Sequence, residues 1–273
     1  MFQYQGKTAL ITGASAGIGA EFARALAARG VNVILVARSE GRLRALADDL
    51  TRDHGVRAEV VAADLTRVGA AEELRAAVDA RGLAVDLLVN NAAFGTHGPF
   101  EALAPARDHD EVILNVAAVV DLTHLFLPAM LARGDGAVVN VASLAAFFPA
   151  PYMAVYGATK AFVLSFSEAL WAECRGRGVR VLALCPGATA TEFFDVMGTD
   201  GGVRGPKRAP ARVVETGLRA LDRGRSYAVD GRANYLTAQA PRVMPRGLVA
   251  RLMERMTRPG QTAPRQGAVA RPR

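Results

Sequence analysis

The chain has 273 residues, 51% hydrophobic and 22% charged, with a formal net charge of +7. Two cysteines rule out a disulfide framework, and four scattered histidines offer no ligand cluster, so no metal is expected. Residues 242–273 hold eight Arg and one acid, Glu254, which leaves the body neutral and argues for a solvated basic end rather than a nucleic-acid-binding face.

The start of the chain lacks a basic, apolar, small-residue leader, and no stretch reaches about 18 uninterrupted apolar residues, so a soluble, cytoplasmic protein is expected. Residues 7–12 (KTALIT) read as a strand that runs into Gly13-Ala14-Ser15-Ala16-Gly17-Ile18-Gly19. Residues 20–29 read as a helix stopped by Gly30. The glycines let a ligand approach the backbone, and the N–H groups opening the helix offer a seat for a pyrophosphate.

Residues 31–37 form the second expected strand. An acid about 20 residues beyond the glycines would hold the ribose 2′-hydroxyl of NAD, but Ala37 and Arg38 stand there. The guanidinium presents a donor fork to a 2′-phosphate, with Ser39 and Arg42 near enough to help, so NADP(H) is expected over NAD(H). The alternative is a surface Arg38 paired with Glu40.

A helix over 41–54 and a strand over 56–62 lead to Asp64-Leu65, which either reaches an adenine ring or caps the next helix, 70–81. The strand 85–89 ends at Asn90-Asn91-Ala92-Ala93, whose amides satisfy loose backbone groups or brace a cofactor-contacting loop. Residues 106–133 read as one helix that Pro128 bends or restarts. Asn115 inside it is either a solvent-facing accident or an opening that holds a water. The fifth strand, 136–141, ends at Ala142-Ser143, and the sixth, 179–185, at Pro186-Gly187-Ala188-Thr189-Ala190-Thr191, with Cys185 an ordinary buried thiol.

Between those strands a helix over 151–175 carries Tyr156 and Lys160, four residues apart and therefore on one face. A fixed ammonium beside a phenol favours the phenolate and lowers its pKa toward the working pH; the alternative is an exposed pair without a role. The alternation of strand and helix specifies a Rossmann-type doubly wound parallel sheet, a three-layer α/β/α single domain over 1–230. Gly13, Arg38, Asp64, Asn90, Ser143 and Pro186 all follow strand ends, so they line one crevice.

Thr12-Gly13-x3-Gly17-x-Gly19, Asp64, Asn90-Asn91-Ala92, Asn115, Ser143, Tyr156-x3-Lys160 and Pro186-Gly187 resemble, in order and spacing, the short-chain dehydrogenases/reductases. The looser likeness is to the NADP-preferring branch with ketoacyl and hydroxysteroid reductases and uncharacterised bacterial oxidoreductases. The resemblance implies that Tyr156 exchanges a proton with the substrate oxygen and that Ser143 hydrogen-bonds it. It also implies that Lys160 lowers the Tyr156 pKa and binds the nicotinamide ribose, while Asn115 holds a water. Gly13, Ser15, Ala16, Gly17, Ile18, Gly19, Asn91, Ala92, Pro186, Gly187, Thr189 and Thr191 would then surround the cofactor. One departure is Ala93, which stands where the family usually has Gly.

The implied enzyme moves a hydride between nicotinamide and a carbonyl or secondary alcohol of an apolar ketone or 3-oxoacyl substrate, as a homodimer or homotetramer. The rival reading is a regulatory or scaffolding protein of the same fold without turnover; the complete set of Asn115, Ser143, Tyr156 and Lys160 argues against it. Phe147, Phe148, Pro149, Tyr152, Met153, Phe193, Phe194 and Met197 flank the site as core or as substrate pocket. Residues 198–210 read as a lid or a plain loop, 211–223 as a helix and 227–229 as an edge strand. Residues 231–257 mix apolar side chains with Arg. They suit a membrane surface, or a helical extension over the pocket or a partner subunit, which Pro241 and Pro245 favour. Residues 258–273 have little to bury and are expected to be disordered.

Overall fold

The structure, a computed structural model, describes residues 1–198 and 206–259. The expected lid and the expected disordered tail fall partly outside these residues. Seven strands, β1 (Thr8–Thr12), β2 (Asn32–Ala37), β3 (Ala58–Ala62), β4 (Leu87–Asn90), β5 (Gly136–Val141), β6 (Val179–Cys185) and β7 (Tyr227–Val229), form one parallel sheet in the order β3-β2-β1-β4-β5-β6-β7. The strands read as continuous apolar runs because both faces are covered. Ile11, Leu35, Val89 and Val139 point to one side, against α1 (Gly17–Ala27), α2 (Glu40–His54) and α8 (Pro210–Asp222). Leu10, Ile34, Leu88 and Val138 point to the other, against α3 (Ala70–Asp79), α5 (Ala118–Arg133) and α6 (Ala154–Cys174).

The chain order reverses beside β1, which has β2 on one flank and β4 on the other. Connections leaving these two neighbours diverge to opposite faces, so a crevice opens at their carboxyl ends. Two buried amides tie the adjoining strands: Asn90 Nδ2 donates to Asn140 Oδ1 at 2.9 Å, and Asn140 Nδ2 donates to Ser167 Oγ at 2.9 Å.

The expected single helix over 106–133 is interrupted. It consists of α4 (Pro105–Val112), a π-helical turn at Ile113–Ala117, and α5. The break falls around Asn115 rather than at Pro128, which sits on an exposed face inside a continuous α5. The cause is the Asn115 side chain, whose bonds to another loop compete with regular helix geometry. By length and composition the whole stretch Pro105–Arg133 is apolar enough to cross a membrane, but Leu122, Phe126 and Met130 are packed into the core.

Beyond β7 come α9 (Arg232–Gln239), a 3-10 turn (Ala240–Arg242) and α10 (Arg246–Thr257). These pack on the loops in front of α6. Tyr152 Oη donates to Glu254 Oε1 at 3.1 Å, Thr257 Oγ1 donates to Pro151 O at 2.9 Å, and His97 Nε2 lies 3.0 Å from Thr257 O. Val249 is buried beneath the extension, whereas Leu236, Leu248, Leu252 and Met256 face solvent.

Candidate functional site

The site is built from loops that leave the carboxyl ends of the strands. After β1, Gly13 takes φ +66°, and a Cβ there would meet Asn91 Nδ2 at 2.8 Å and the Ala92 Cα at 2.9 Å. Gly19 is required by close approach: its Cβ would stand 2.2 Å from Gly13 O. The loop after β4 is locked onto this turn. Thr12 Oγ1 accepts from the N–H groups of Asn91 at 2.9 Å and Ala92 at 3.0 Å, and Asn91 Nδ2 donates to Thr12 O at 2.9 Å. Among the described residues Tyr152 is the single non-glycine with positive φ, so Ala93 holds its place in this loop without needing a left-handed backbone.

A cleft of about 630 Å³ runs across the crevice. Gly13, Ser15, Ala16, Gly17, Ile18, Arg38, Ser39, Arg42, Asp64, Leu65, Asn91, Ala92 and Ala93 line it, with Ser143, Tyr156, Lys160, Pro186, Gly187, Thr189 and Thr191. Of the residues expected at the site, Gly19 and Asn115 stand behind the wall, one as a packing glycine and one as a brace, and Asn90, expected to line the crevice, is instead a buried amide bonded to Thr123 and Asn140. Phe94, Phe148, Met153, Phe193, Phe194 and Val196 make the apolar part of the lining. Phe147 instead packs against Tyr227, with ring centroids 5.9 Å apart, and belongs to the core.

At the nucleotide end, α1 starts at N-cap Ala16 with no side-chain cap, so its first N–H groups face the cleft without a side-chain acceptor. Arg38 is exposed and makes no hydrogen bond or ion pair among the described residues; Glu40, its suggested partner, pairs with Arg44. Arg42 carries a partner of its own, Glu192, at 2.8 and 3.0 Å across the cleft mouth. Asp64 does not cap α3, whose N-cap is Gly69. Its Oδ1 accepts from Thr66 N at 3.1 Å and Thr66 Oγ1 at 2.8 Å. Burial pushes the Asp64 carboxyl up, but these bonds and the charges of Arg38 and Arg67 outweigh that and hold it below its ordinary value.

At the other end, Ser143 caps a 3-10 turn by accepting from Ala145 N at 3.1 Å. Tyr156 and Lys160 are both buried on α6. The Lys160 ammonium donates to Val141 O at 2.9 Å and lies 5.8 Å from the Tyr156 ring centroid. The expectation that it brings the phenol below its ordinary pKa is corrected here. Burial pushes Tyr156 up to about 12, opposed by a Ser143 hydrogen bond and reinforced by Glu111. Burial also pulls Lys160 down to about 8, opposed by Glu111 and Cys185. Desolvation is therefore the largest influence on both groups.

Asn115 is fully buried and saturated: Nδ2 donates to Phe94 O at 2.9 Å and to Thr159 Oγ1 at 3.1 Å, and Oδ1 accepts from Phe94 N at 3.2 Å. It is no solvent-facing accident. Sequence reasoning did not single out Glu192 and Val196 at the cleft, nor Glu111, which is fully buried one turn ahead of Asn115. The last of three acids, Asp108, Asp110 and Glu111, directly before an apolar helical run was the available signal.

The family model described as short chain dehydrogenase matches residues 7–200. The chain belongs to the short-chain dehydrogenase family. Its members are oxidoreductases, and their fold binds a nicotinamide cofactor. This member is 36% identical over 197 residues to the very-long-chain 3-oxoacyl-CoA reductase of Anas platyrhynchos, covering 70% of this chain and 62% of that protein. It thus spans under two thirds of that relative's length. Among solved structures, a 7beta-hydroxysteroid dehydrogenase superposes with a TM-score of 0.83 at 28% identity, covering 93% of this chain and 99% of that one. A short-chain dehydrogenase from Sphingobium yanoikuyae, solved in complex with NADPH, gives a TM-score of 0.78 at 34% identity over 94% and 98% of the chains.

Proposed function

We propose that this short-chain dehydrogenase is an NADP(H)-dependent oxidoreductase acting on a carbonyl or secondary alcohol of an apolar substrate, a ketone or 3-oxoacyl compound, with Tyr156 as its general acid and base. The observation that carries this reading is one cleft with an uncapped helix start and, at the same end, the exposed Arg38 guanidinium, without a partner among the described residues, and Ser143, Tyr156 and Lys160 at the other end.

The residues present fit the cofactor. The glycine cradle would be filled by any Cβ, and the first N–H groups of α1 seat a pyrophosphate. Arg38, with Ser39, binds a 2′-phosphate through charge-assisted bonds. Asp64 and Leu65 border the adenine side, and Pro186, Gly187, Thr189 and Thr191 the nicotinamide side. When bound there, a nicotinamide would supply the hydride or accept it. Ser143 Oγ donates a hydrogen bond to the substrate oxygen, and Tyr156 gives that oxygen its proton in reduction and removes it in oxidation. Lys160 places positive charge where negative charge develops. Phe94, Phe148, Met153, Phe193 and Phe194 exclude water and select an apolar substrate.

Assembly as a homodimer or homotetramer is part of the same proposal, supported by the exposed Phe162, stacked on Phe166 with centroids 5.7 Å apart on the outside of α6. Fluorescence titration with NADPH and NADH, followed by a panel of ketones and 3-oxoacyl thioesters, tests the function. Tighter binding of NADPH with oxidation on one substrate is expected. Equal affinity for both cofactors removes the Arg38 role, and binding of neither removes the proposal.

A further inference from the structure

Beneath the catalytic end lies an acid that none of the roles above uses. Glu111, on α4, is 0% exposed. Its Oε2 accepts from Thr96 N at 3.0 Å and Thr96 Oγ1 at 2.9 Å, while its Oε1 is buried with no hydrogen-bond partner among the described residues. Thr96 Oγ1 also lies 3.0 Å from Asp108 Oδ1. Helix α4 packs against α6, the helix that carries Lys160 and Tyr156, and the charge of the carboxyl group is felt by both. A buried carboxyl oxygen without a protein partner is costly and asks for a role. Lys160, 4% exposed, is bonded to a neutral carbonyl and has no carboxylate in contact among the described residues.

We infer that Glu111 is a positioning residue of this site: its buried carboxyl group sets the charge on Lys160, and with it the ionisation of Tyr156. The groups that act on it are Asp108 from its own helix, Thr96 from the loop after β4 and Lys160 from α6, and it acts in turn on Tyr156 of the same helix. Burial lifts Glu111 to about 7, against the Thr96 bonds, with Asp108 adding to the lift and Lys160 opposing it. Below that pH the carboxyl is neutral and leaves Lys160 to its burial. Above it the carboxylate holds the ammonium charged and, acting as a like charge, holds Tyr156 protonated. Tyr156 therefore stays a proton donor and Lys160 stays a cation across the same interval, the combination that reduction of a carbonyl needs.

This rests on the oxidoreductase reading for its consequence but not for its test. Lys7, Lys160 and Lys207 are the three lysines of the chain, so protein labelled with ε-13C lysine gives three resonances, and Lys160→Arg assigns one. In a pH titration Lys160 is expected near 8 with a second inflection near 7. In Glu111→Gln, which keeps an acceptor for Thr96, the Lys160 midpoint falls by about one unit and the inflection disappears. Lys7 and Lys207 do not move. Glu111→Asp retains the inflection. An unmoved Lys160 in folded Glu111→Gln overturns the inference and leaves Glu111 an anchor for Thr96. Should Glu111→Gln not fold, Thr96→Val serves instead: losing the hydroxyl bond that stabilises the carboxylate, while the backbone N–H bond remains, raises the inflection, and an unchanged inflection overturns the inference. If no substrate is turned over, these resonances still report on the coupling; if one is, the alkaline limb of kcat/KM moves to lower pH in Glu111→Gln.

Discussion

At the residue scale the proposed chemistry depends on one phenol. Tyr156→Phe removes the proton but keeps the ring that packs against Phe193 at 5.3 Å, so turnover falls by about 10²-fold or more while NADPH affinity is unchanged in a binding titration. Arg38→Asp replaces a donor fork with a repulsive carboxylate. NADPH affinity should drop by about tenfold to a hundredfold and NADH affinity should rise, read as the ratio of the two dissociation constants. Arg42 contributes less, because its exposed pair with Glu192 is worth about 0–1 kcal/mol and can be exchanged for a phosphate.

Glu111 also predicts how stability varies with pH. Its carboxyl is raised from 4.5 to about 7 in the folded chain, so between those values the folded form keeps a proton that the unfolded form has released. Stability from this group is present below 4.5 and lost as pH rises through 7. Glu111→Gln escapes that loss. Its thermal midpoint relative to the parent should rise between pH 4.5 and 7, by an amount bounded by about 3 kcal/mol, and a constant difference refutes the burial account.

At the scale of elements, the turn between β1 and α1 and the loop after β4 behave as one unit, since Thr12 and Asn91 bond them in both directions. Gly19→Ala drives a methyl toward Gly13 O at 2.2 Å, where no side chain can yield. We expect a loss of about 2–4 kcal/mol in denaturant unfolding, with cofactor binding lost alongside it. The π-helical turn is the counterpart on the other face. It aims Asn115 at both Phe94 and Thr159, and so joins the loop after β4 to the helix that carries Tyr156 and Lys160.

At the scale of the molecule, the C-terminal extension supports the substrate side without lining the cleft. Glu254 and Thr257 hold Tyr152, Pro151 and His97, which precede or face the apolar wall at Met153. Ending the chain before Arg246 releases those loops. The expected outcome is a raised KM for the substrate with NADPH affinity unchanged, because the nucleotide end touches none of these contacts.

The sequence by itself determined the parallel doubly wound sheet, the glycine turn and the sets that end its strands. Each of these is local: apolar runs of strand length, glycines between a strand and a helix, and polar residues just past a strand end. Only the tertiary structure decided the rest. Whether Arg38 or Arg42 is committed elsewhere depends on Glu40 and Glu192, the second of which is 150 residues from Arg42. Whether Phe147 is core and Phe148 is wall depends on what lies opposite each ring. The helix broke at Asn115 and not at Pro128 because an exposed proline asks only for a missing bond to water, whereas Asn115 is held by a distant loop. Finally, the Tyr156-Lys160 spacing predicted an attraction that lowers the phenol, and burial reversed its sign. Periodicity reports which residues share a face; the depth of that face below the solvent, which sets the cost of charge, is a property of the folded whole.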